Sequence, residues 1–288
     1  NREVSSVHAA ALILGGATLL SRLLGLLRDR LLAARFGAGD VLDVYYAAFQ
    51  IPDFLFTVFL VGAASAAVLP VLLEYDRRGE EQSHAFIGNL LTLVSIAAGV
   101  MVLGAIVLAP KLVAVVAPGF DAAKLTMTVD LTRIMLSNAF LLSIAGILSS
   151  VLQARHRFFV FALPPLFYNL GIIGGILLLV PWVGVQGLAY GVVAGGVLQI
   201  LVQLPSIAAM GFRIRPAFNP REPGFIQVLR TAFPRVLAIS MSQLTITALA
   251  AIASFFAAGS ISTFRLASNL LYVPVGLFGV SYALAVFP

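Results

Sequence analysis

Arg22, Arg28, Asp29, Arg30, Asp43 and Asp53 lie within or against apolar runs between Ser21 and Pro70. A charge at membrane depth is costly, and its usual justification is a protein-lined, watery cavity with a function. Arginine is planar and permanently charged, and can grip a phosphate or carboxylate with two parallel N–H donors. Two or three arginines with few acids nearby point to an anionic ligand, most economically a phosphate or pyrophosphate. An exporter of cationic drugs would need the opposite sign. Arg22, deepest in its run, and Arg28 are assigned to the cavity, whereas Arg30 reads as snorkelling to the headgroup interface.

The spacing constrains how these groups can meet. Arg22 and Asp29 are seven residues apart and share a helical face. Arg28 lies about 240° round an ideal helix from Arg22, so the two converge only if the helix bends or unwinds. Gly25 is the candidate hinge. Asp43, Gln50 and Asp53 follow at spacings of seven and three and approach one face of the next helix. Pro52 frees a carbonyl there, which requires a cavity or a polar neighbour. Asp43 either caps its own helix after the Gly39 turn or lines the cavity; both readings stand. Arg133 and Arg265 are further intramembrane cations, and Arg133 is expected to pair with Asp130, three residues before it.

The elements that carry these residues are transmembrane helices. The 288 residues are 60% hydrophobic and 10% charged, with mean hydropathy +1.03, against about 25% charged in soluble domains. Apolar runs of about 20 residues recur throughout. A soluble protein of buried helices would need far more polar surface. The expected class is all-α and polytopic, with eight spans at roughly 7–33, 41–73, 85–109, 126–152, 158–180, 183–210, 228–257 and 260–287. Val7–Leu20 runs on into an Arg-bearing helix without a cleavage site and reads as a first span, not a signal peptide.

Charge sets the expected orientation. With the N-terminus in the cytoplasm, that side receives ten arginines and the other only Arg35, Lys111 and Lys124, as the positive-inside bias requires. The net charge of +6 therefore reflects cytoplasmic loops and anionic headgroups, not nucleic acid. The segment 211–227, rich in Pro and Arg, reads as a cytoplasmic interlobe linker with a short interfacial helix whose Phe225 and Ile226 face lipid.

A short repeat suggests two lobes. Phe36-Gly37-Ala38-Gly39-Asp40-Val41 recurs as Phe256-Ala257-Ala258-Gly259-Ser260-Ile261, and each copy leads into a helix with a mid-span proline, Pro52 or Pro274. Duplicated lobes are common in transporters. Residues 1–210 then form a six-helix N-terminal lobe, and 228–288 the first two helices of a second lobe. The absence of an initial Met and the two-helix second lobe suggest a fragment.

Chemistry other than transport has no residue set. There is no cysteine, and His8, His84 and His156 lack metal-ligand spacing. The Gly pairs 15–16, 174–175 and 195–196 precede no Lys-Ser or Lys-Thr, and read as close-packing surfaces between helices. No enzyme, metal or cofactor is expected, and any active transport would draw on an ion or voltage gradient.

The motif Ser21-Arg22-Leu23-Leu24-Gly25-Leu26-Leu27-Arg28-Asp29, followed by Phe36-Gly37-Ala38-Gly39, Asp43, Ala48-Phe49, Pro52, Gly62-Ala63 and Pro70, resembles the first two helices of a known family in order and spacing. Further segments resemble later parts of the same family: Ala117-Pro118-Gly119-Phe120 before the fourth helix, Arg157-Phe158 with Pro164 and Asn169 in the fifth, then Ser242-Gln243, Ala253-Ser254-Phe255, Gly259-Ser260, and Pro274 with Gly276 and Gly279. The family is that of the MurJ/MviN-type lipid II flippases, in the multidrug/oligosaccharidyl-lipid/polysaccharide exporter superfamily, and the resemblance covers essentially the whole chain.

The resemblance implies a two-lobed transporter of about fourteen helices in the bacterial cytoplasmic membrane. It implies a central cationic cavity and alternating access. The substrate would be the undecaprenyl-pyrophosphate-linked peptidoglycan precursor, moved from the inner to the outer leaflet for cell wall biogenesis and cell shape. Membrane lipids and cell-wall synthesis proteins are the other partners it suggests. Positions matching Arg22 and Arg28 are tied to the pyrophosphate, and those matching Asp29 and Asp43 are important nearby. The chain departs from the pattern at Asp53, Phe56, Thr57 and Val61, and Asn269 stands where the family has an eighth-helix arginine. Arg265, one turn before, is a candidate substitute. Leu249 replaces an acidic position linked to sodium in some members. The runner-up readings are an exporter of another polyprenyl-pyrophosphate saccharide and a non-transporting pseudo-flippase in a cell-wall complex.

Overall fold

The computed structural model describes residues 7–57, 67–212 and 215–274, and among them the chain is helical with no strand. The order is α1 (Val7–Phe36), α2 (Asp40–Phe56), α3 (Val68–Arg78), α4 (Glu80–Val116) and α5 (Ala122–Ala154). Then come α6 (Phe158–Ala162), α7 (Pro164–Gly174), a π-helical turn (Gly175–Leu179), α8 (Val180–Val183), α9 (Gln186–Ala209), α10 (Pro223–Ala253) and α11 (Ser260–Pro274). Five stretches are long and apolar enough to cross a membrane: Glu80–Val116, Ala122–Ala154, Phe158–Val183, Gln186–Ala209 and Pro223–Ala253. α1 is long but carries five charges between Arg22 and Arg35. The expected spans 41–73 and 260–287 fall partly outside the described residues, as do Val61 and Gly62-Ala63.

The bundle is apolar on its outer surface, and its largely apolar interior also buries a set of polar side chains. Trp182, Val107 and Val115 are among its most exposed side chains, while Asp29, Asp43, Gln50, Asn89, Asn138 and Gln203 are buried. So many exposed apolar side chains suit a lipid surround. Three prolines inside helices show how backbone polarity is satisfied. Pro52 leaves the Ala48 carbonyl without its N–H partner, and Thr132 Oγ1 donates to it at 3.4 Å. Pro110 does the same to Ile106, and Arg133 Nε donates there at 3.3 Å. In the π turn the Val180 N–H reaches back five residues to Gly175. The next donor in that register would be Pro181, and Arg35 Nη1 supplies the Ile176 carbonyl instead at 3.0 Å. Arg133 therefore serves a freed carbonyl, and no Asp130–Arg133 ion pair forms among the described residues.

α7 and α9 approach backbone to backbone. A Cβ on Gly191 would stand 2.7 Å from the Gly175 Cα, and one on Gly195 2.7 Å from the Tyr168 carbonyl oxygen. The expected close-packing role therefore holds for Gly175, Gly195 and Gly196. It fails for Gly15, Gly16 and Gly174, where added Cβ atoms meet nothing within 4 Å.

The bundle has two tied ends. At the end carrying the α3–α4 turn, residues 215–222 run without helix along α4. The Asn89 side chain donates to the Asn219 carbonyl at 2.9 Å and accepts from its N–H at 2.7 Å. Gly88 packs directly beneath the Arg215 backbone. The Gly224 N–H donates to Tyr75 Oη at 3.2 Å. Burial, and Glu222 beside it, push the Tyr75 hydroxyl up from its ordinary range, so it stays protonated. Among the described residues no separate interfacial helix forms there: α10 begins at Pro223, and Phe225 packs against the core cluster of Leu72, Phe86 and Val151 instead of facing lipid, while Ile226 is exposed.

At the opposite end the two repeat turns meet. Gly39 precedes α2 and Gly259 precedes α11, so both copies start a helix at the next residue. A Cβ on Gly259 would collide with the Ala38 carbonyl, and its φ of 94° lies where glycine is favoured. Lys124 Nζ pairs with Asp40 at 2.6 Å, and Ser254 Oγ accepts from the Gly119 N–H at 2.9 Å.

Candidate anion-binding cavity

The charged residues of α1 do not need a broken helix to converge. α1 runs helical through Gly25, yet Arg22 and Arg28 line the same two cavities, of about 640 and 190 Å³. Long guanidinium side chains span the angular gap that the ideal spacing leaves. Gly25 has a different use: Asn169 of α7 lies 3.9 Å from where its Cβ would be, so α1 and α7 come close there.

Arg28 is held by two neighbours. Its Nε and Nη2 donate to Asp29 Oδ1 at 2.9 and 2.8 Å, and its Nη1 donates to Asn169 Oδ1 at 3.2 Å. The other Asp29 oxygen accepts from Asn269 Nδ2 of α11 at 2.9 Å. Arg22 Nη1 donates to the Tyr272 carbonyl at 2.9 Å, and its Nε is buried without a partner among the described residues. Arg30 is exposed, consistent with its reading at the interface.

Asp43 follows neither expected alternative. It makes no cap on α2, and it is 3% exposed with both oxygens engaged elsewhere. Oδ2 accepts from the Gly259 N–H and Oδ1 from the Ser262 N–H, each at 2.7 Å. It caps the start of α11, because the Gly259 turn places two orphan N–H groups directly above it. Gln50 also bridges, accepting from Thr247 Oγ1 of α10 at 3.3 Å. These two members of the predicted set therefore join helices instead of facing an open cavity.

Asp53 and Arg265 come together. With Arg28, Tyr45, Tyr46, Tyr168 and Asn269 they line a cavity of about 190 Å³ between α1, α2, α7 and α11. Arg265 Nε and Nη2 are buried without acceptors among the described residues, so α11 keeps a cation facing the volume that Asn269 also lines. Asp53 and Arg28 also line the 640 Å³ cavity, whose other walls include Thr18, Ser149, Tyr168 and Gln199. Pro52 stays within α2 as a satisfied helical residue. Pro274 ends the described part of α11, so its expected helix break lies outside the described residues.

Asn169, Tyr45, Tyr46 and Tyr168 also line or hold the site, and charge spacing in the sequence gives no sign of them. Asn169 also donates from Nδ2 to the Pro165 carbonyl at 3.0 Å and to Ser21 Oγ at 3.4 Å, fixing α7 against α1. A polar amide in an apolar run was the available signal.

The family model described as "Lipid II flippase MurJ" matches residues 32–288. This chain belongs to the MurJ lipid II flippase family. It is 33% identical over 292 residues to the lipid II flippase MurJ of Burkholderia cenocepacia, covering 98% of this chain and 57% of that one. It is 32% identical over 264 residues to the probable lipid II flippase MurJ of Thermotoga maritima, covering 92% and 53%. Among solved structures it resembles a lipid II flippase MurJ in an inward closed conformation, with TM-score 0.78, 25% identity and coverage of 96% and 57%. The chain thus spans about half the length of the curated relatives it matches. The fold is that of the exporter superfamily the sequence suggested.

Proposed function

We propose that this chain supplies the N-terminal lobe, residues 1–210, and the opening helices of the second lobe, residues 228–288, of a transporter that moves lipid II from the inner to the outer leaflet of the cytoplasmic membrane. The observation that carries this reading is that Arg22, Arg28 and Arg265 line cavities with shared walls, with N–H groups of Arg22 and Arg265 lacking acceptors among the described residues. Such groups are strong donors to a diphosphate, and guanidinium–phosphate contacts partly offset the desolvation of a headgroup drawn from water. The polyprenyl tail stays in lipid while the headgroup crosses through the cavity by alternating access, with the N-terminus in the cytoplasm. Flipping needs no covalent chemistry, so these groups bind and release without catalysis.

The test is depletion of the full-length protein in its host, with lipid-linked precursors quantified in each leaflet. Lipid II should accumulate in the inner leaflet, and an Arg22→Ala, Arg265→Ala double variant should fail to relieve it while wild type does. Absence of accumulation would end the reading. One observation favours a second substrate: Asn269 donates to Asp29 where the family resemblance places a cation, and a changed set of cationic contacts suits another polyprenyl-pyrophosphate saccharide. That substrate would accumulate in place of lipid II in the same experiment.

A further inference from the structure

Asp53 is the anomaly in a cavity otherwise suited to anions. It lines both the 190 and the 640 Å³ cavities, yet no hydrogen bond or ion pair holds its carboxylate among the described residues. The neighbouring acids behave differently: Asp29 is bonded to Arg28 and Asn269, and Asp43 to the start of α11. The formal charges that line the smaller cavity beside Asp53 are the guanidiniums of Arg265 and Arg28. The remaining polar groups of its cavity, Tyr45, Tyr46, Tyr168 and Asn269, carry no formal charge. Asp53 stands on α2 and Arg265 on α11, so the attraction runs between helices from opposite halves of the repeat.

A ligand phosphate entering this cavity approaches the same two guanidiniums. It meets attraction from Arg265 and Arg28 and repulsion from Asp53. We propose that Asp53 is the resident counter-ion of the cavity, a carboxylate that competes with the anionic substrate for Arg265 and Arg28. It weakens the substrate's hold by repelling the anion across the cavity while both guanidiniums stay in place. This inference rests on the diphosphate reading above but assigns Asp53 the opposite sense from a substrate contact. A transporter must release what it binds, and a built-in competitor lowers affinity without removing the cations that select the ligand.

Electrostatics gives the proposal a signature that a structural role lacks. The repulsion between Asp53 and a ligand grows with the ligand's charge, so neutralising Asp53 should help a diphosphate more than a monophosphate. The experiment measures binding of farnesyl diphosphate and farnesyl monophosphate to the purified full-length protein in nanodiscs. Asp53→Asn should bind the diphosphate about tenfold tighter and the monophosphate about threefold tighter. Asp53→Glu, which keeps the charge, should bind both like wild type. In an Arg265→Gln background the gain from Asp53→Asn should shrink, because the cation for which Asp53 competes is gone. Asp53→Ser guards against an Asn-specific packing fault and should reproduce the charge-scaled gain.

Equal gains for the two ligands, no gain, or weaker binding in both neutral variants would overturn the counter-ion role. Failure of folded wild-type protein to bind either ligand would overturn the diphosphate reading, and this inference with it.

Discussion

At the residue scale, the Arg28–Asp29–Asn169–Asn269 chain is the most consequential feature, because each member satisfies another. Asp29 receives two bonds from Arg28 on one oxygen and one from Asn269 on the other, at 7% exposure. Removing one partner of a buried ion pair leaves an uncompensated charge, at a cost of about 3–5 kcal/mol. Removing a neutral hydrogen-bond donor costs about 1 kcal/mol. Asp29→Ala should therefore lower thermal stability in detergent far more than Asn269→Ala does, and abolish flipping. A scanning-fluorimetry series in which the two variants shift Tm equally would remove Asp29 from the centre of the network. Arg28 is consequently only partly available to a ligand, and the freer donors are Arg22 Nε and the Arg265 nitrogens.

At the element scale, glycine packing between α7 and α9 separates positions that composition cannot. Gly191 faces the Gly175 backbone, whereas Gly174 faces open space. Gly191→Val should overpack the contact and destabilise by about 1–3 kcal/mol. Gly174→Ala should be neutral or stabilising, since Ala exceeds Gly in a helix by up to about 1 kcal/mol. Thermal unfolding of the two variants decides this; equal losses would mean that the two helices do not touch along that face. The same scale shows what could be read from sequence. The helices, the turns at Gly37 and Gly259 and the need for a donor opposite Pro52 were legible, because periodicity, φ preference and a missing N–H are local properties. Which donor answers was not legible. Thr132 and Arg133, adjacent on α5, serve prolines on two different helices, and sequence distance carries no trace of that contact. Asp130 misled because an i,i+3 pair is worth only a few tenths of a kcal/mol, whereas a freed carbonyl at membrane depth must find a donor. Asp43 misled similarly: its nearest helix start is its own, but the orphan N–H groups it reaches belong to α11.

At the scale of the whole molecule, polar links between the repeat halves cluster along α2 and α11. Asp43 holds the start of α11, Gln50 holds Thr247, Asp29 holds Asn269, and Arg22 holds the Tyr272 carbonyl. Under the proposed alternating access, the end where Gly259 meets Ala38 would have to separate, and Asp43 would then release two backbone N–H groups and the positive end of a helix dipole. A side-chain cap contributes about 1 kcal/mol and a partly buried charge at a helix end up to about 2 kcal/mol. Asp43→Asn should thus move the closed-to-open ratio by about tenfold, since about 1.4 kcal/mol is a factor of ten. The chain contains no cysteine, so the variants Ala38→Cys and Ser260→Cys form a defined pair for a short bis-maleimide crosslinker. In the wild-type background the pair should crosslink efficiently. Adding Asp43→Asn should lower the yield, and Asp43→Ala should lower it further. An unchanged yield in both would mean that backbone packing of the two glycine turns alone keeps this end shut, and that Asp43 has no part in its opening.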